Sequence, residues 1–164
     1  MPIIKPFKAI RATPEKASQV ISRAYQDYSQ EELESQLKFN PFSFLQILNP
    51  GYRYSHEITG EERFNLVRNR FLEFKEENYL MKEEEPAFYI YENQDPHHCY
   101  TGIIAATSVY DYQENKIKKH ENTLSQREVL FKDYLRIVGF NAEPVLLTYA
   151  DDDTVDAMIS KIKK

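Results

Sequence analysis

The sequence predicts a mixed α+β domain, and three observations lead there. Helix starts are well marked by capping residues, short apolar runs rich in aromatic and β-branched residues lie between them, and the two kinds of segment alternate without the strict period of a doubly wound sheet. The expected architecture is one mixed sheet holding at least one antiparallel hairpin, flanked by about five helices. At 164 residues the chain is long enough to bury a core as a single domain over residues 1–164.

The elements follow in order. Thr13 before Pro14 predicts an N-cap with proline in the first helical position, and Ala17, Val20, Ile21, Ala24 and Tyr25 form one apolar face behind it. Ser29 and Glu32 stand at capping-box spacing ahead of a short helix with Leu33 and Leu37. The run Ser43 to Leu48, "SFLQIL", lies between Asn-Pro turn signals and predicts a strand. Thr59 and Glu62 repeat the capping spacing; Phe64, Val67, Phe71 and Phe74 then recur three and four apart in a helix expected to end near Leu80. Ala87 to Tyr91 and Tyr100 to Tyr110 predict an antiparallel pair around the loop "ENQDPHHC", the second strand central and largely buried. Thr123 and Gln126 predict another capped helix, with Leu130, Phe131, Tyr134, Leu135 and Val138 lining one face of it. Pro144 to Tyr149 reads as a strand, and Val155, Met158, Ile159 and Ile162 as the face of a last helix.

Composition excludes several function classes. A net charge of -5 argues against a general nucleic-acid or acidic-membrane binder, both of which need a basic surface. The single cysteine, Cys99, precludes an internal disulfide framework, and no stretch has the length of a signal peptide core or a membrane span, so a cytoplasmic protein is expected. With four glycines there is neither a GxGxxG nor a Walker A pattern.

The chemistry concentrates in "KIKKHENTLSQR". Lys118, Lys119, His120 and Glu121 run into the expected helix start at Thr123, with Arg127 one turn in. Free amides and the positive end of the helix dipole favour an anion at such a place, and Glu121 could act as a base beside it. The alternative is a solvated loop, in which Glu121 merely complements the dipole. His97, His98 and Cys99 are all zinc-ligating types, but neighbours on a hairpin point to opposite sides and no second Cys/His pair exists, so no metal site is expected there. His56 reads as a loop residue, Cys99 has no base partner, and Asp151, Asp152 and Asp153 read as a helix cap rather than a Mg²⁺ site.

The blocks "IIKPFKAIRAT", "NPFSFLQILNP", "AFYIYE", "YTGIIAATSVYDYQENKIKKHENT" and "NAEPVLLTYAD" resemble, in order and spacing, the domain of unknown function 1015 family of bacterial proteins. The block from Ile117 to Thr123 is the most specific. Two departures stand out. A Pro-Tyr-Asp-Val element of the family is replaced here by "AYQDYSQEEL", and a downstream Asp-Gly-His-His-Arg motif is absent, so the resemblance covers the family's N-terminal part.

The resemblance implies an enzyme of serine metabolism, similar to ParB/sulfiredoxin-like free serine kinases or to a phosphoserine phosphatase, acting on a small phosphorylated hydroxy-amino acid. Carried over residue by residue, Lys119, His120, Glu121 and Thr123 match, with Glu121 in the base role. His120 and Glu121 are therefore the expected catalytic pair, and Lys118, Lys119, Thr123 and Arg127 the expected anion ligands. Mg²⁺ or a nucleotide is the candidate cofactor of a longer protein, and a homo-oligomer is compatible with the sequence. The competing expectation is a ParB-like binding or interaction module without catalysis.

Overall fold

The computed structural model describes residues 2–54, 56–120 and 124–163. In chain order the elements are β1 (Ile4–Lys5), β2 (Ile10–Ala12), α1 (Ala17–Val20), α2 (Gln30–Phe39), α3 (Leu45–Leu48), α4 (Gly60–Glu76), β3 (Leu80–Lys82), β4 (Tyr89–Gln94), β5 (Cys99–Ile104), β6 (Ala106–Thr107), α5 (Val109–Gln113), α6 (Ser125–Val138) and α7 (Asp153–Ile162). Single 3-10 turns cover Tyr25–Asp27 and Pro50–Arg53. The α+β class is as predicted, but among the described residues the strands form three separate antiparallel pairs, β1–β6, β2–β3 and β4–β5, rather than one mixed sheet. No helix among the described residues is long and apolar enough to cross a membrane.

The chain resolves into two compact units. A helical unit comprises Lys8–Glu84 and His120–Phe140; a hairpin unit comprises Met1–Phe7, Glu85–Lys119 and Asn141–Lys164.

The helical unit is built on α4. Its phenylalanine spacing of three and four puts Phe64, Val67, Phe71 and Phe74 on one stripe, and all four are buried with Val20, Ile47, Leu80 and Val138. Aromatic pairs fix the geometry: Phe71 stacks on Phe140 at 4.1 Å, and Phe64 meets Tyr134 edge-on at 5.3 Å. The Ser29–Glu32 capping box forms as predicted, each partner bonding the other's backbone N–H. α6 closes at Gly139, whose φ of 78° is the left-handed conformation that glycine adopts without a Cβ penalty.

Four sequence expectations in this unit need correction. "SFLQIL" is not a strand: Leu45–Leu48 forms the short helix α3, with Leu45 and Ile47 both fully buried. Periodicity cannot separate helix from strand in so short an apolar run. Here Gln46 settles the matter, donating from Nε2 to the carbonyls of Leu37 (2.6 Å) and Asn40 (3.2 Å). The first helix is one turn only, because the Thr13 N–H extends the β2–β3 ladder to Tyr79 O and its hydroxyl donates to Asn78 O instead of capping. Ile21 and Tyr25 are consequently exposed. Thr59 takes the N-cap position of α4 but makes no side-chain cap bond, so the second capping box does not form. That helix ends at Glu76 rather than near Leu80, since Asn78 turns the chain at φ 58° and Leu80 starts β3.

In the hairpin unit β4 and β5 pair antiparallel from Tyr89↔Ile104 to Gln94↔Cys99, as the sequence predicts. Asp95 shapes the turn, its Oδ1 accepting from the N–H groups of His97 and His98 at 2.7 and 2.8 Å. The expected single buried strand from Tyr100 to Tyr110 is instead broken into β5, β6 and the start of α5. None of β5 is buried, so the segment is not the centre of a sheet. Pro144 to Tyr149 is not a strand either; it makes no ladder, and Val145 and Leu146 are exposed. Asp152 caps α7 as predicted, accepting from Thr154 and Val155 N–H groups. Only Ile159 of its apolar face is buried, while Met158 and Ile162 are exposed.

Candidate functional site

The segment that carries the predicted site begins at α5. Ser108 caps that helix, its Oγ accepting from the Asp111 N–H at 3.4 Å. Asp111 is 2% exposed, and every hydrogen-bonding function it has is used. Its Oδ2 accepts the Ile3 N–H at 2.6 Å and its Oδ1 accepts from Lys116 Nζ at 3.1 Å. Its carbonyl accepts the N–H groups of Lys116 (2.8 Å) and Ile117 (3.1 Å). Asn115, at φ 58°, makes the turn that returns the chain over the helix end.

Charge follows geometry. The Ile3 N–H, and after it the Lys116 ammonium, hold the Asp111 carboxyl below the ordinary aspartate range. Lys116 is pushed up by Glu114, to which it bonds at 2.8 Å, and then by Asp111. Sequence reasoning passed over Asp111. The signal was present: Ser108 and Asp111 stand three apart, the spacing of an N-cap and its N3 acid.

From this anchored turn the chain runs into Lys118 and Lys119, both exposed; Lys119 Nζ lies 5.0 Å from the centre of the Tyr112 ring. These two belong to the hairpin unit, whereas His120 and Arg127 belong to the helical unit. His120 is exposed, and Arg127 is exposed on the first turn of α6, its N–H bonded to Leu124 O. No hydrogen bond or ion pair joins His120 to Arg127. The N-cap of α6 is Leu124, which has no side-chain acceptor, so the predicted cap at Thr123 is displaced by one residue. Glu121 and Thr123, the other two predicted site residues, lie outside the described residues.

Two concavities occur elsewhere. One of about 420 Å³ in the hairpin unit is lined by Ile3, Lys5, Thr107, Val109 and Tyr110. One of about 720 Å³ in the helical unit is lined by Tyr25, Tyr28, Glu34, Tyr52, His56 and Arg63, among others. None of Lys118, Lys119, His120 and Arg127 lines either. His56, expected as a loop residue, thus sits on the wall of a groove. Among the described residues no three His, Cys, Asp or Glu side chains are grouped to hold a metal ion. His97 and His98 are 6.4 Å apart between ring centres, and His98 faces Asp95 at 3.6 Å.

Fold and segment together define a small α+β protein in which a buried aspartate holds the turn just before the exposed Lys118 and Lys119. The chain belongs to the family described as Protein of unknown function (DUF1015), whose sequence profile matches residues 4–164. No curated protein and no solved structure matches it, and nothing matched supports the likeness to ParB/sulfiredoxin-like proteins.

Proposed function

We propose that the chain is the N-terminal part of a cytoplasmic enzyme of serine metabolism that transfers or removes the phosphoryl group of a small phosphorylated hydroxy-amino acid such as phosphoserine. The observation that carries the reading is the exposed run Lys118, Lys119, His120 leading to α6, a 14-residue helix whose N-cap residue, Leu124, has no side-chain acceptor to offer the amides of the first turn. Such amides, with the dipole behind them and Arg127 on the first turn, suit a phosphate. Phosphoryl transfer depends mainly on positioning and charge stabilisation, which a cationic segment of this kind supplies. In this reading Glu121, assisted by His120, takes the proton of the attacking hydroxyl or water, and in the hydrolytic direction returns it to the leaving serine oxygen. Lys118, Lys119, Thr123 and Arg127 hold the anion. Mg²⁺ or a nucleotide would serve the complete protein.

Phosphoserine titrated into the 164-residue chain should shift the backbone resonances of Lys118, Lys119 and Ser125, with a Kd on the order of millimolar because association entropy offsets exposed charge contacts. In a complete protein carrying a downstream His/Arg motif, Glu121→Gln should abolish turnover and leave phosphate binding intact. Wild-type turnover by that variant would leave the solvated loop as the correct reading.

A second reading has its own observation. α6 exposes Val129, Leu130 and Phe131, and the unpaired segment 144–149 exposes Val145 and Leu146. Apolar side chains left open in this way favour a non-catalytic interaction module. Phosphate-insensitive spectra, together with concentration-dependent association lost on Leu130→Ser and Phe131→Ser, would select it.

A further inference from the structure

Asp111 is the most buried charged group among the described residues, and it joins the N-terminal segment of the hairpin unit to the stretch from Ser108 to Ile117, far from it in sequence. Through Oδ2 it holds the Ile3 N–H, next to β1. Through its carbonyl it holds the backbone of Lys116 and Ile117, and through Oδ1 the Lys116 ammonium. Through its own N–H it is tied to the Ser108 cap at the end of β6. The β1–β6 pair is only two residues long, Ile4↔Thr107 and Lys5↔Ala106, and beyond it the Ser108 N–H donates to Ile3 O at 3.1 Å, so the ladder at this corner is short.

We propose that Asp111 is a positioning residue, which locks the segment bearing Lys118 and Lys119 onto α5 and the N-terminal strand so that the two ammonium groups are presented in a fixed arrangement to an anion. The proposal rests on the anion-site reading above. The chemistry supports it beyond mere burial. A buried carboxylate that accepts one amide and one ammonium while its own carbonyl accepts two amides constrains backbone on both sides of the turn. An apolar side chain of similar size would fill the same space and leave the Ile3 N–H and the Lys116 ammonium without that partner. Lys118 follows Ile117 directly and Lys119 is one residue further, too close along the chain for the anchor's loss to leave them unmoved.

The test uses the 164-residue chain in three forms: wild type, Asp111→Asn and Lys116→Met. Asparagine keeps the shape but loses the charge and one acceptor; methionine keeps the stem and removes only the ammonium. Amide hydrogen exchange and inorganic-phosphate titration are followed residue by residue, with the β4–β5 hairpin amides as the check on fold. In Asp111→Asn the amides of Ile3, Lys116 and Ile117 should exchange at least about tenfold faster with the hairpin unchanged, as local opening requires. The phosphate Kd read at Lys118 and Lys119 should rise at least about threefold, since fewer molecules hold the competent arrangement. A purely space-filling role would change neither the local exchange nor the affinity while the hairpin stays intact.

Unchanged exchange at Lys116 and Ile117 overturns the proposal, whatever phosphate does. Faster exchange with an undiminished phosphate affinity also overturns it, because the anchor then positions nothing that the anion uses. If the wild type gives no phosphate response at all, the anion-site reading fails on its own, and the exchange data alone decide whether Asp111 holds the segment. Should Asp111→Asn lose the hairpin, Lys116→Met takes its place, with faster exchange at Ile3 and Ile117 expected and unchanged exchange the refuting result.

Discussion

The helical unit and the hairpin unit hold themselves together by different means. Every buried apolar side chain among the described residues except Ile159 belongs to the helical unit, where α4 lays four of them along one face. The hairpin unit has instead a six-residue ladder from β4 to β5, a two-residue ladder from β1 to β6, and a buried carboxylate with its partners. Apolar burial is non-directional and indifferent to pH, whereas a polar anchor is directional and titrates. The two units should therefore fail under different insults.

The largest effect is expected in the helical core. Phe74 is 1% exposed and packs edge-on against Tyr79 at 5.4 Å. Phe74→Ala should destabilise this unit by about 3–5 kcal/mol, through lost transfer energy and the cavity left behind. Urea unfolding followed at α4 amides measures it; a loss under about 1 kcal/mol would mean that the site collapses freely and the core is not close-packed.

Next comes the polar group buried in that same core. Gln46→Leu removes the amide that satisfies the Leu37 and Asn40 carbonyls and should cost about 1–3 kcal/mol, because a buried acceptor loses its donor. A neutral result would show that α3 is held by Leu45 and Ile47 alone. A smaller loss, about 0.5–2 kcal/mol, is expected for Ser29→Ala, which deletes the α2 N-cap. Circular dichroism melts of that variant and of Thr59→Ala, whose side chain makes no cap bond, should differ; equal losses would contradict the two cap geometries.

This contrast also explains what was legible in the sequence. The α4 stripe, the Ser29–Glu32 box, the Asp152 cap and the β4–β5 hairpin are local devices, and each is present where its spacing places it. "SFLQIL" and Tyr100 to Tyr110 were misread because apolar runs of this kind are assigned by what they pack against, and that lies elsewhere in the chain. The Ser108–Asp111 spacing marks Asp111 as a local cap acid, but its long-range role was not legible, because its partner there is the backbone N–H of Ile3, 108 residues away, and a backbone amide leaves no mark in a sequence. Of the candidate site, the Lys118–Lys119–His120 run was legible as exposed cationic chain. The turn that anchors its lysines was not.

The last effect is absent at neutral pH and appears only in acid. The Ile3 N–H and Lys116 hold Asp111 below its ordinary value of 3.8, and Lys163 holds Glu92 of the same unit below 4.5. A carboxyl depressed in the folded state contributes stability that is fully present above its unfolded pKa and is lost as pH falls through the folded one. The hairpin unit should accordingly be indifferent to pH from neutrality down to the ordinary carboxylate range, then weaken as pH falls below it. Glu32 of the helical unit is depressed too, by the Ser29 N–H and then by Arg23, but this pair is on the surface, where solvent and salt screen it. Protonating Glu32 frays the start of α2 and leaves the phenylalanines of α4 buried. Amide exchange measured while the pH is lowered should thus show Ile3, Lys116 and Ile117 losing protection ahead of the α4 amides, after correction for the intrinsic pH dependence of exchange. Loss of protection at α4 and at Ile3 in the same pH interval would mean that both units share one acid-labile support, and the division between an apolar and a polar means of stabilisation would have to be given up.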